Sequence, residues 1–208
     1  MKKLLILGAG GHGKVIAEIA EALGVYETVD FADDNSVNAV GRLSDLEKLH
    51  KLYDCAFVGI GDNRLRGELI NKLEKIGYEV PVLIHPTAYV SKSATIEKGS
   101  VLEPMSVVNA NTYVGAGCII SVGAVVDHDV TIGNFCHINA GAIIKAGGKI
   151  DDFRKLEAGE IFFGYDAARV NNTITLDDNN PFAKHYPEQA CKKSSYLSKK
   201  KGGMMHNV

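Results

Sequence analysis

Every sixth residue from Val90 to Leu156 is Val, Ile or Leu: Val90, Ile96, Leu102, Val108, Val114, Ile120, Val126, Ile132, Ile138, Ile144, Ile150 and Leu156. These three residue types fill 52 of 208 positions, one quarter of the chain. Twelve consecutive hits in one phase therefore have odds on the order of 10⁻⁷ by chance. A period of six matches neither a helix nor a simple strand. It fits a parallel β-helix of hexapeptides, in which each hexad makes one flat face and three hexads make one triangular coil. The twelve hexads predict about four coils, each rising ~4.8 Å. The fifth hexad position is small in most units (Ala94, Ser100, Ser106, Thr112, Cys118, Ala124, Cys136, Ala142, Gly148), as a tight corner requires. An ordinary all-β domain of alternating strands would not hold a strict six. Past Leu156 the repeat is expected to decay into an irregular cap, because Phe153, Arg154 and Lys155 are bulky for an interior coil.

Residues 1–84 follow a different grammar, alternating strands and helices. Lys3–Leu7 is a short apolar strand. A helix follows with Val15, Ile16, Ile19, Ala20 and Leu23 on one face and Gly24 as its stop. Thr28–Phe31 and Asp54–Val58 are further strands. Ser44 is expected to cap a helix through Leu46 and Leu49, with Glu47 completing a capping box. A last helix is expected through Leu65, Leu69, Ile70, Leu73 and Ile76, ended by Gly77. The expected architecture is therefore a Rossmann-like βαβαβ domain (1–84), a parallel β-helix with an irregular cap (85–170), and a solvated, lysine-rich tail (171–208).

The first strand runs into GAGGHG at residues 8–13, which satisfies GxGxxG between a strand and a helix, and Asp33 follows Gly13 by 20 residues. A dinucleotide needs two such halves, and here the chain turns into hexads after one. One half suits one mononucleotide, with backbone amides and a helix N-terminus for phosphate. A UDP-sugar fits better than NAD. The loops after the second and third strands, with Asp33, Asp34 and Gly61, would face the same ligand. The alternative is that the glycines merely pack helix on strand.

The net charge is −2, which gives no pull toward nucleic acid or anionic membrane. The run Leu4–Leu7 is too short to span a membrane or serve as a signal segment. Four cysteines (Cys55, Cys118, Cys136, Cys191) show no paired spacing. The expectation is a soluble, cytoplasmic protein of a reducing compartment, with Cys118 and Cys136 as inert core residues.

Two histidines interrupt the repeat. His128 lies in Asp127–His128–Asp129, and His137 follows nine residues later. Nine residues is half a coil, so the two lie on opposite sides of one prism and can meet only between packed prisms. A neighbouring carboxylate fixes the tautomer of His128 and leaves its other nitrogen as a proton acceptor. The bland alternative is a surface histidine with acidic neighbours. A zinc site would need a third histidine, and only His85 is near, in poor position. No metal is expected.

The GAGGHGK loop, the Asp33–Asp34–Asn35 turn, the Ile84–His85–Pro86 hinge, the hexads and the His128 triplet together resemble one family over about residues 3–170. They are similar to bacterial nucleotide-sugar N-acetyltransferases of the bacillosamine and perosamine type, grouped with sialic-acid O-acetyltransferase-like proteins. The resemblance implies a left-handed β-helix, a homotrimer, and acetylation of a UDP-linked 4-amino sugar by acetyl-CoA. It implies His128 as base, Asp129 as its supporting acid and His137 near the thioester. It implies Gly10, Gly11, His12 and Gly13 at the nucleotide sugar, with Asp33 and Asp34 near the nucleotide. Backbone at Ala146 and Gly147 is expected to contact CoA. The closing motif Gly164–Arg169 has Asp166 where the family has proline. O-acetylation of a sialic-acid-type sugar and a non-catalytic nucleotide-sugar-binding trimer are the other readings.

Overall fold

The computed structural model describes residues 2–165. The N-terminal part is a three-stranded parallel sheet of order β2-β1-β3, from β1 (Lys2–Leu7), β2 (Tyr26–Ala32) and β3 (Cys55–Val58). Between them run α1 (Gly11–Leu23), the single turn α2 (Leu46–Leu49) and, after β3, α3 (Asn63–Ile76). Left-handed glycines end α1 at Gly24 and α3 at Gly77. The start of α2 differs from expectation. A 3₁₀ turn over Leu43–Asp45 precedes it, and Asp45, not Ser44, closes the turn by accepting Arg42 N–H at 3.0 Å.

Fourteen two-residue strands follow, β4 (Leu83–Ile84) to β17 (Ile161–Phe162), spaced six residues apart. They stack into three parallel sheets, β4-β7-β10-β13-β16, β5-β8-β11-β14-β17 and β6-β9-β12-β15. Register is 18 residues throughout, as in Ile120↔Ile138 and Val126↔Ile144. This is the parallel β-helix the repeat predicts, left-handed as the resemblance implies. Its interior holds the periodic aliphatics, from Leu102 and Val108 to Ile144 and Leu156, nearly all fully buried. The prism runs one hexad beyond each end of the twelve counted from sequence. Leu83–Ile84 opens it, and the chain keeps coiling past Leu156, because Phe153, Arg154 and Lys155 lie outside the prism. Bulk at those positions does not end the repeat. Asp166–Arg169, the tail from Asn171 and Cys191 lie outside the described residues.

Each corner has one residue in the left-handed region, at period six from Gly99 to Gly159. Six are glycine, and five are Met105, Asn111, Asp129, Phe135 and Phe153, with φ between 56° and 61°. A side chain there costs on the order of 1 kcal/mol, least for Asn and Asp.

The outward residues of β4, β7 and β10 are Leu83, Val101 and Ile119, all buried. They share a core with Leu4, Ile6, Ile16, Ile19 and Phe57, so α1 and the sheet pack directly on this wall of the prism. The other side of the small sheet packs on Leu46, Leu49, Leu69, Ile70 and Leu73.

One buried side chain joins the two halves. The stripe of α3 facing inward is Arg66, Leu69, Ile70 and Leu73, while Leu65 is 42% exposed. Arg66 donates to the carbonyls of Gly117 (2.7 Å), Ile60, Gly61, Phe135 and Cys136, and to Asn63 Oδ1. Burial lowers its pKa to about 10, so it stays charged at neutral pH. Arg66→Leu would leave these buried carbonyls without donors. A loss of roughly 3 kcal/mol or more is expected, read as a lower denaturant midpoint; an unchanged midpoint would refute the keystone role.

Candidate active site

The carboxyl ends of β1, β2 and β3 carry Gly8–Gly13, Asp33–Asn35 and Gly59–Asn63 on one edge. Strand order reverses about β1, which puts the open crevice between the ends of β1 and β3. The glycines divide by role. Gly13 and Gly59 pack backbone to backbone, a Cβ on Gly59 coming 2.7 Å from Gly13 Cα, so Gly13 serves helix-on-strand packing. A Cβ on Gly10, Gly11 or Gly61 would meet nothing within 4 Å. Gly10 is the N-cap of α1 with no side-chain cap, leaving the first-turn amides for a ligand.

Asp33 binds its own surroundings. Its carboxylate accepts Ala9 N–H at 2.8 Å, Asn35 N–H at 2.8 Å and Ser36 N–H at 2.9 Å, which also lowers its pKa. It ties the glycine loop to the β2 turn. Asp34 accepts Leu43 N–H at 3.0 Å. Both border a hollow of about 320 Å³ running to Arg42.

Where the crevice meets the prism, polar groups from both halves are buried together. His12, on the first turn of α1, sets Nδ1 3.5 Å from Glu103 Oε1, while Nε2 is buried without a partner. Glu103 also accepts Val122 N–H at 2.9 Å, and burial raises its pKa. His137, outward on β13 (His137–Ile138), continues the ladder of Leu83, Val101 and Ile119 one coil higher. Its Nε2 lies 3.1 Å from Ser121 Oγ. The Gly61 backbone lies against its ring and weakly favours the charged form, though Nδ1 meets no hydrogen-bond geometry. Desolvation first, then Arg66 and Lys155, push His137 down to about 4; desolvation first, then His137 and Arg66, do the same to His12. Both imidazoles are neutral at neutral pH. A cleft of about 530 Å³ opens beside His137, between Gly61–Arg64 and Phe153–Lys155.

His128 stands elsewhere, at the corner between β11 (Val125–Val126) and β12 (Thr131–Ile132). Its Nδ1 pairs with Asp129 Oδ2 at 2.8 Å. Asp129 takes the left-handed corner position (φ 57°) and accepts Asn111 Nδ2 on its other oxygen at 3.2 Å. Asp127 accepts the His128 backbone N–H at 2.8 Å. The Asp129 hydrogen bond, and secondarily the Asp127 charge, raise the His128 pKa; His128 and Asn111 lower that of Asp129. The pair is solvent-facing. On the next coil Ala146 lies above His128, and Gly147 N–H donates to the His128 carbonyl at 3.1 Å. The Ala146 carbonyl accepts Tyr165 N–H at 2.9 Å, and the Tyr165 ring covers Gly147.

The structure thus brings His12, Gly61 and His137 to one junction and pairs His128 with Asp129. No contact joins His128 to His137 within the chain. Arg66 and Glu103 were missed from the sequence. The signal for Arg66 was its place in an i, i+3, i+4, i+7 stripe; Glu103 carried none.

Residues 3–73 match the PglD N-terminal domain. The acetyltransferase domain of PglB from Neisseria gonorrhoeae, solved with acetyl coenzyme A, aligns with a TM-score of 0.74 at 37% identity, covering 77% of this chain and 81% of that one. This chain belongs to the family of sugar N-acetyltransferases. A mutant of perosamine N-acetyltransferase from Caulobacter crescentus, in complex with CoA and GDP-perosamine, aligns with a TM-score of 0.69 at 30% identity over 79% of this chain and 92% of that one. The UDP-N-acetylbacillosamine N-acetyltransferase of Bacillus subtilis is 34% identical over 113 residues, 49% of this chain. The match spans about half (51%) of that relative's length.

The neutral state of His12 and His137 makes the family fold acid-sensitive here. An unfolded imidazole takes its proton near 6.5, and the folded ones resist until about 4. Stability should therefore fall as pH drops below about 6.5 and keep falling to about 4, by roughly 3 kcal/mol per histidine at most. Buried Glu103, with its raised pKa, partly offsets this near its own range. His137→Asn should flatten the fall of melting temperature between pH 7 and 4.5; an identical slope would show that His137 is not the group responsible.

Proposed function

We propose that this protein transfers the acetyl group of acetyl-CoA to the amino group of a UDP-linked 4-amino sugar, in a homotrimer with sites between subunits. The His128–Asp129 pair carries this reading. Asp129 holds the Nδ1–H tautomer, so Nε2 is the free proton acceptor at an exposed corner. Related proteins are solved with acetyl coenzyme A, and with CoA and GDP-perosamine. The chain's own features fit such a donor: the positions stacked above His128 are the small residues Ala146 and Gly164. Acetyl-CoA supplies the thioester. The sugar nitrogen attacks it, the N–C bond forms as C–S breaks, and the amine proton goes to His128 Nε2 and on to the departing sulfur. Two substrates held in one cleft supply proximity without an acyl-enzyme. Neutral His137 is the side chain available to donate to the carbonyl oxygen. The nucleotide sugar lies over Gly10–His12 and Gly61, with Asp33 shaping the loop and Asp34 bordering the hollow beside it.

The trimer is supported by the second wall of the prism. Its outward ladder is Tyr89, Val107, Val125, Ile143 and Ile161, apolar in every coil, with Tyr89 57% and Ile161 51% exposed. The first wall is covered by the α/β half, and the third (Thr95, Tyr113, Thr131, Lys149) is mostly polar. An uncovered apolar ladder suits a second copy, and closed packing brings His128 of one prism toward the His137 junction of the next.

CoA-thiol release with a UDP-4-amino sugar should fall by ~10²-fold or more in His128→Ala. Because Asp129 raises the pKa of the base, the acid limb of kcat/KM should sit above that of a free histidine, and Asp129→Asn should move it to lower pH. A protein that melts higher with UDP but not with acetyl-CoA, and releases no thiol, would be a nucleotide-sugar sensor instead. Ile143→Glu should convert the trimer to monomer by light scattering, and activity should go with it; a monomeric variant of full activity would exclude a shared site.

A further inference from the structure

The cleft beside His137 has a composition that the transfer chemistry does not use. We propose that it binds the diphosphate of the acceptor nucleotide sugar, with Arg64 and Lys155 as the counter-charges; this rests on the nucleotide-sugar reading above. The two cations come from different halves of the chain and border the same space of about 530 Å³. Arg64, on the first turn of α3, is held over the Phe153 ring at 5.6 Å. Phe153 in turn stacks on Phe135 with centroids 5.1 Å apart. Asn63 Nδ2 donates to the Phe153 carbonyl at 2.9 Å and ties the two rims together. The cleft is thus braced from both sides.

Its charge is unbalanced in favour of an anion. Among the described residues Arg64 pairs with no carboxylate. Lys155 has only Glu157, at 3.5 Å and solvent-exposed, a contact that a doubly charged group would outcompete. The one carboxylate lining the cleft, Asp62, is committed as the cap of α3, accepting Leu65 N–H at 2.8 Å. Phe153 also occupies a left-handed corner (φ 61°), a position that six of the eleven such corners fill with glycine. An aromatic side chain is retained there at a conformational cost, and it is the platform that fixes Arg64.

Two diphosphates enter this reaction, that of the nucleotide sugar and that of CoA. Reach separates them. In a 4-amino sugar, one pyranose ring lies between the amine and the diphosphate on C1. In acetyl-CoA the whole pantetheine arm lies between thioester and pyrophosphate. The cations here share a cleft with His137, beside the reacting atoms, which suits the nearer diphosphate. The orphan amides of α1 would meet the nucleoside side of the same group, since the β1 and β3 loops touch at Gly13 and Gly59.

The test is calorimetric titration of UDP and UMP into the intact protein and into R64Q/K155Q, together with steady-state kinetics. Wild type should prefer UDP to UMP by ~10-fold or more, and the double variant should lose that preference while its melting temperature and UMP affinity hold. KM for the UDP-sugar should rise ~10-fold or more with kcat within about 2-fold and KM for acetyl-CoA unchanged. A preference retained in the double variant, or absent in wild type, overturns the proposal. So does a rise confined to KM for acetyl-CoA, which would assign the cleft to CoA. Should no UDP-sugar be acetylated, the functional reading fails, while the UDP-over-UMP comparison still decides the cleft.

Discussion

A single guanidinium, wholly buried, holds the two halves of this protein in one orientation. Arg66 has no carboxylate among its hydrogen-bond partners; its acceptors are five backbone carbonyls and one amide oxygen. Two of these, Ile60 and Gly61, belong to the loop that ends β3. Three, Gly117, Phe135 and Cys136, belong to the prism. Apolar contact through Leu83, Val101 and Ile119 supplies most of the adhesion, but it is non-directional. The planar fork of Arg66 supplies the bearing. It thereby sets the distance between the glycine loop and His137.

That fixed junction explains why the polar groups around it behave unusually. His12, Glu103 and His137 are drawn out of water by the closure of two surfaces. Their pKa values shift against the charged form, and the Arg66 charge adds to the shift for both histidines. His128 is treated in the opposite way. It stays in solvent and gains a carboxylate, so its basicity rises. Two histidines nine residues apart are thus shifted in opposite directions, His137 down by burial and nearby cations and His128 up by its carboxylate neighbours.

Much of the fold was legible from the sequence because its signals are strictly periodic. The hexads give strand positions, interior residues and corners, and the strand–glycine loop–helix grammar gives the small sheet. What escaped depends on contacts between distant segments. Arg66 looks like a surface charge beside Leu65, and only docking on the prism reverses the two. Glu103 looks like one more charged residue of a hexad until α1 is laid against it. Phe153–Lys155 read as the end of the repeat on size alone, and only the folded chain shows those side chains outside the prism. Asp33 illustrates the reverse case. Its position in the fingerprint was readable, yet its oxygens are spent on the amides of Ala9, Asn35 and Ser36. Asp129 was readable as a partner of His128, while its left-handed backbone and its second bond to Asn111 come only from the stacking of corners.

The 18-residue register also governs how such a chain can change in length. One extra residue in any hexad would turn every later interior side chain out of phase. A whole added or deleted coil would slide everything beyond it by one rung, ~4.8 Å, and leave its facing unchanged. Insertions in this half are therefore quantised. The coils above Lys155 could grow or shrink by whole rungs, resizing the far end of the prism, while the corner of His128 and the junction at Arg66 stayed where they are.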